Sequence, residues 1–143
     1  EPIRREYGGK QFLIGHGDGL GPGDHGYKFI KKVFANKLCQ WLFARIHPNF
    51  GIWLANFWSG KSRGANRGED EKFLGEDKEW LAIYAKDYLK KEHIDYFVFG
   101  HRHLPLELEV GENSKYVNLG EWMNYNTYAV FDGEKLQFKE FKD

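Results

Sequence analysis

The stretch Tyr96-Phe97-Val98-Phe99-Gly100-His101-Arg102-His103 decides how the rest of the chain is read. Three aromatic residues and one β-branched residue in an unbroken apolar run suit an interior strand. The glycine that ends the run lets the backbone turn, so the histidines that follow can be aimed separately. Ligands of α/β sheets gather beyond the carboxyl ends of strands. A lone His-x-His is more often a surface pair than a metal site, but a second stretch here has the same form. Gln11-Phe12-Leu13-Ile14-Gly15-His16-Gly17-Asp18 again runs from an apolar strand into Gly-His. Two such strands predict three imidazoles, His16, His101 and His103, converging at one sheet edge.

The 143 residues are enough for one domain with its own core, and 41% hydrophobic content is ordinary for a globular chain. The 17% aromatic share is high, so some aromatic surface is expected to serve contact as well as core. The single cysteine, Cys39, has no partner within the chain for a disulfide and suits a reducing compartment. The charged start Glu1-Pro2-Ile3-Arg4-Arg5-Glu6 has no secretory pattern, and no apolar run approaches the roughly 20 residues of a membrane span. A cytoplasmic location is the expectation. Formal net charge is zero, yet its distribution is uneven. From Tyr27 to Arg67 there is no Asp or Glu, while Lys28, Lys31, Lys32, Lys37, Arg45, Lys61, Arg63 and Arg67 all fall inside. Such a segment is either a solvated basic face or a surface for an anionic partner.

Residues 1–10, polar and containing Gly8-Gly9, read as a turn into a strand at about Gln11–Gly15. The glycine-rich loop after His16 carries Asp18 and Asp24, with Asp24 a candidate N-cap for a helix beginning near Tyr27. Ile30, Val33, Phe34, Leu38, Trp41, Leu42 and Ile46 then fall at helical spacing, predicting one amphipathic helix that ends before Pro48. A second short helix is expected at about Ile52–Trp58, and a polar loop from Ser59 to Gly75. Gly60-Lys61-Ser62 lacks the upstream glycine and strand of a P-loop and is rejected as one. A helix at about Glu76–Glu92, with Trp80, Leu81, Tyr84, Tyr88 and Leu89 as its buried stripe, leads to the strand at Tyr96. Short strands follow at Leu106–Val110, Lys115–Asn118, Tyr128–Phe131 and Leu136–Phe141, the last two a hairpin across Asp132-Gly133. The class is α/β, in layers. Two greasy, basic helices between the first strand and the next core element form an insertion, since a βα unit needs one crossover helix. Such a pair suits core packing, acyl chains or a membrane surface.

Neutral imidazoles suit manganese, iron and zinc, but a catalytic pair of such ions also needs oxygen ligands, and no bridging Asp is evident. The order Gly-His-Gly-Asp, a long gap, then Gly-His-Arg-His resembles the last two motifs of the calcineurin-like metallophosphoesterases. The family's earlier Asp-x-His, Gly-Asp-x-x-Asp and Gly-Asn-His-Asp/Glu motifs are absent. The resemblance therefore implies the carboxyl-terminal half of a metallophosphoesterase αββα sandwich over 1–143, with a helical lid inserted at 27–67. Within the superfamily the whole chain is similar to the branch that acts on UDP-2,3-diacylglucosamine in lipid A biosynthesis. That branch cleaves the pyrophosphate to UMP and 2,3-diacylglucosamine 1-phosphate with two manganese ions, at the cytoplasmic face of the inner membrane. The resemblance implies His16 and His101 on one metal and His103 on the other, with His101 also at the reacting phosphate. It implies substrate contacts for Asp24, Tyr27, Ser62 and Asn66, and it implies acyl chains in the lid. Where the branch has a Lys three residues after the Asn this chain has Glu69, so the cation there falls to Arg67 or Lys72. Two other functions remain open: a phosphoesterase for another phosphate ester, and a non-catalytic lipid- or membrane-binding piece. Nucleic-acid binding ranks last, because no motif for it accompanies the basic residues.

Overall fold

The computed structural model describes residues 1–22, 25–66 and 72–142, leaving aside the side chains at 27 and 61–66. In chain order these form β1 (Ile3–Tyr7), β2 (Lys10–Ile14), α1 (His25–Ala35), α2 (Lys37–Phe43), α3 (Pro48–Asn66), a 3-10 turn (Glu76–Lys78) and α4 (Trp80–Leu89). They continue with β3 (Tyr96–Phe99), β4 (Pro105–Gly111), β5 (Ser114–Leu119), β6 (Thr127–Phe131) and β7 (Leu136–Glu140). The chain forms two compact units, Glu1–Gly23 with Asp70–Asp143, and Asp24–Glu69. Among the described residues no helix is long and apolar enough to cross a membrane.

The first unit is a layered α/β structure. Its five-stranded sheet runs β1-β2-β3-β5-β4, and a two-stranded sheet is made of β6 and β7. β2, β3 and β5 are parallel, with Ile14 opposite Val98 and Phe99 opposite Asn118. β1 and β4 close the edges antiparallel. β3 is buried at all four residues, as a central parallel strand covered on both faces must be. One face carries Leu13, Phe97, Phe99 and Tyr116 against Leu81, Ala82 and Ala85 of α4. The other carries Phe12, Tyr96 and Val98 against Phe131 and Leu136 of the small sheet, and the Leu136 amide donates to the Tyr96 hydroxyl at 3.2 Å.

Residues 1–10 do not merely turn: they add the strand β1. Its five residues are all exposed, so no apolar alternation marked it, and charges along an edge strand discourage pairing with other chains. Gly8 and Gly9, at φ 55° and 75°, supply the two left-handed residues of a tight hairpin. The helix expected from Glu76 is interrupted at Glu79, whose extended backbone (φ −82°, ψ 98°) turns its carboxylate inward. Within α4 the small Ala82 and Ala85 are fully buried while Trp80 is 40% exposed. Alanines let the helix approach the sheet closely, so the large stripe residue at its start is displaced outward.

The second unit holds α1, α2 and α3. The single long helix expected before Pro48 is broken at Asn36, whose extended backbone and side chain cap α2: its Oδ1 accepts from the Leu38 and Cys39 amides at 2.9 and 3.2 Å. α3 begins with Pro48, which the first helical position tolerates because its missing N–H has no intrahelical partner there. It continues to Asn66, so Ser59–Asn66 is helix where a loop was expected. None of the described residues of this unit is buried.

Candidate metal centre

The parallel ladder between β2 and β3 runs past the strands themselves. The Gly15 amide donates to the Val98 carbonyl at 3.1 Å, and the Gly100 amide donates to the His16 carbonyl at 3.0 Å. The two Gly-His steps are thereby held level at the carboxyl edge of the sheet. His101 Nδ1 lies 3.4 Å from His16 Nε2, and the rings meet edge to face with centroids 5.2 Å apart. Gly17 permits this approach. Its φ of 104° favours glycine, and a Cβ there would lie 3.2 Å from His101 Cβ and 3.1 Å from Leu81 Cδ1.

Two imidazole nitrogens bound to one ion at about 2.0–2.1 Å lie about 2.9–3.4 Å apart for right to tetrahedral angles. The observed 3.4 Å fits that separation, so His16 and His101 suit two positions on one divalent ion. His103 does not complete a trio. Among the described residues no three His, Cys, Asp or Glu side chains are grouped to hold an ion. Exposed His103 comes near Glu121. Desolvation pushes the Glu121 carboxyl up, but together the Met123 and Asn124 amides, the Asn124 side chain and nearby His103 hold it below its ordinary value. Asp18 sits half-buried in the turn after His16. Asp24 and Arg67 lie outside the described residues; Tyr27 falls in α1, and Ser62 and Asn66 fall in α3, with their side chains outside that description.

Beneath the histidines is a polar cluster that the sequence did not reveal. Arg102 Nη1 lies 3.3 Å from Glu79 Oε2, with only 13% and 2% of those side chains exposed. The Tyr116 hydroxyl donates to Glu79 Oε1 at 3.3 Å. Burial first, then the charge and hydrogen bond of Glu79, push the Tyr116 hydroxyl far up, with Arg102 opposing. Tyr116 therefore stays a donor at any physiological pH. Asn118 Nδ2 donates to the carbonyls of Arg102 and Leu104. In the sequence Glu79 is one of several acids near a helix start, and Arg102 is the middle residue of His-x-His.

The helical unit contains a cavity of about 440 Å³ walled by Val33, Phe34, Leu42, Phe43, Leu54 and Trp58 among others. In the same unit Phe29, Leu38, Trp41, Ile52, Trp53 and Phe57 are each more than half exposed. Clustered exposed apolar side chains of this kind are a feature of interaction surfaces.

A layered α/β protein with paired histidines where adjacent parallel strands end is the class that fold and site define. No protein-family model matches the chain. It is 33% identical to the UDP-2,3-diacylglucosamine hydrolase of Porphyromonas gingivalis, over 99% of this chain and 58% of that protein. Proteins of the same name from a Shewanella species and from Edwardsiella ictaluri are 27% and 23% identical, over 81% and 92% of this chain and 46% and 51% of theirs. The chain is thus homologous to UDP-2,3-diacylglucosamine hydrolases, and it spans about half the length of these curated relatives.

Proposed function

We propose that this chain supplies the histidine side of a metallophosphoesterase site that hydrolyses the pyrophosphate bond of UDP-2,3-diacylglucosamine, giving UMP and 2,3-diacylglucosamine 1-phosphate. The observation that carries the reading is the His16–His101 pair, 3.4 Å apart where two parallel strands end, in a chain whose homologues carry that name. Bound manganese ions would supply an activated water and neutralise phosphate charge. His16 and His101 would hold one ion, with His103 directed to a second. The remaining oxygen ligands would come from residues beyond these 143, and so this chain alone is expected to be inactive. His101 would also face the phosphate under attack. Asp24, Tyr27, Ser62, Asn66 and Arg67 would contact the substrate, Ser62 and Asn66 at its sugar phosphate.

The cavity and exposed aromatics of the helical unit would take up acyl chains, gaining about 25 cal/mol for each Å² of apolar surface removed from water. The same features suit peripheral attachment at the cytoplasmic face of the inner membrane, with a second reading as a lipid-binding piece that performs no chemistry. The deciding experiment is release of UMP from the lipid nucleotide by the enzyme at its full natural length, with manganese added. Loss of turnover in His101→Ala is the expected result. Undiminished turnover in that variant overturns the site, and metal-independent lipid binding with no turnover by the parent enzyme establishes the second reading.

A further inference from the structure

We propose that Arg102, Glu79 and Asn118 are positioning residues that hold the Gly100–Leu104 turn so that the His101 ring meets His16. The inference rests on reading this edge as a metal site only for its consequence, not for its geometry.

After β3 ends at Phe99 the chain has left the ladder, apart from the Gly100 amide bonded to the His16 carbonyl. Something else must fix the next four residues. Asn118 is level with Phe99 in the parallel register and is wholly buried, so its amide reaches up from the sheet directly beneath the turn. Its Nδ2 donates to Arg102 and Leu104, two carbonyls that bracket His103. From the α4 side the buried Glu79 carboxylate pairs with the Arg102 guanidinium. That guanidinium also donates through Nη2 to the Lys72 carbonyl at 2.9 Å. Tyr116, two residues before Asn118 and so on the same face of β5, fixes the other carboxylate oxygen. With the middle residue of His-Arg-His tethered inward at its side chain and its carbonyl, the flanking imidazoles are left to the sheet edge. A buried charge pair is expensive unless its hydrogen bonds are well met, and what these bonds jointly determine is the path of this turn.

The test uses the whole chain, free of metal, and reads the nuclear Overhauser cross-peak between the His16 and His101 rings, then zinc affinity by calorimetry. The double variant Glu79→Gln with Arg102→Met leaves no buried charge unpaired. It is expected to unfold cooperatively, lose the cross-peak, and bind zinc about 10- to 100-fold more weakly, as when outer supports of metal ligands are removed. Asn118→Ala, which introduces no charge, is read in the same way and decides the matter if the double variant fails to fold. A folded variant that keeps the cross-peak overturns the proposal whatever its zinc affinity. If the cross-peak is lost in the variants, yet zinc binding by the parent is insensitive to His101→Ala, the positioning role stands and the metal reading falls.

Discussion

The two units are about equally aromatic to the eye and use their aromatic residues in opposite ways. In the sheet unit Phe97 and Tyr116 have no exposed surface and Phe99 has 1%; their rings pack on one another and on Tyr84 and Tyr88. In the helical unit the described aromatics are exposed or half-exposed, and they stack along the outside: Trp53 lies on Phe50 and Phe57 with centroids 5.5 and 5.7 Å away. Hydrophobic content therefore says that a segment has apolar surface to dispose of, and not where that surface goes. In the first unit burying it holds the fold together. In the second much of it stays exposed.

The largest test of that contrast is Phe97→Ala. Removing a fully buried ring from a central strand should cost about 3–5 kcal/mol, read as a lower denaturation midpoint of the chain. A loss below that range would mean that the sheet core is looser than its burial implies.

A smaller effect belongs to the amino ends of the same strands. Asp95 is 7% exposed. Its Oδ2 accepts from the Gln11 amide at 2.8 Å and its Oδ1 from Lys10 Nζ at 3.0 Å. Burial pushes the carboxyl up, but the Gln11 amide, the Lys10 ammonium and His93 hold it below the usual aspartate value. A carboxyl lowered in the folded state contributes stability that is complete above its unfolded pKa and disappears as pH falls through the folded one. Acid unfolding curves should therefore show a loss of about 1.5–3 kcal/mol across that acidic window, the range of a hydrogen bond to a charged group. Asp95→Asn should remove that pH dependence. An unchanged acid limb would assign it to other carboxylates.

What the sequence disclosed follows the same division. β3 and the end of β2 were legible because buried parallel strands must be continuously apolar and because Gly-His follows each. β1 was not, since every residue of Ile3–Tyr7 is exposed and the strand is defined by backbone bonds alone. The His16–His101 pairing was legible as two matching strand ends. The Glu79–Arg102 tether was not, because partners 23 positions apart in sequence carry no local pattern and Glu79 sits among other acids. In the helical unit periodicity located the helices, but the break at Asn36 depended on a single side chain capping two amides.

Asn36→Ala sharpens the contrast from the helical side. Loss of an N-cap costs about 1 kcal/mol, and it should appear as faster amide hydrogen exchange in α2, with β3 and β5 unchanged. Equal acceleration in those strands would show that the units unfold as one.

The smallest expected change in stability is at Trp41, which is 52% exposed on a helix with no buried residue. The Arg45 guanidinium lies 3.4 Å from the centre of its ring, an exposed cation–π contact worth about 0.5–1 kcal/mol, and little else depends on the side chain. Trp41→Ala should therefore leave the unfolding midpoint nearly unchanged while raising KM for the lipid nucleotide in the natural-length enzyme, with kcat retained. That separation is what distinguishes apolar surface kept for a ligand from apolar surface used for folding. A fall in stability approaching that of Phe97→Ala would make Trp41 a core residue and erase the contrast. An unchanged KM with unchanged stability would instead move the acyl-chain contact elsewhere, first to the cavity wall at Trp58 and Leu54.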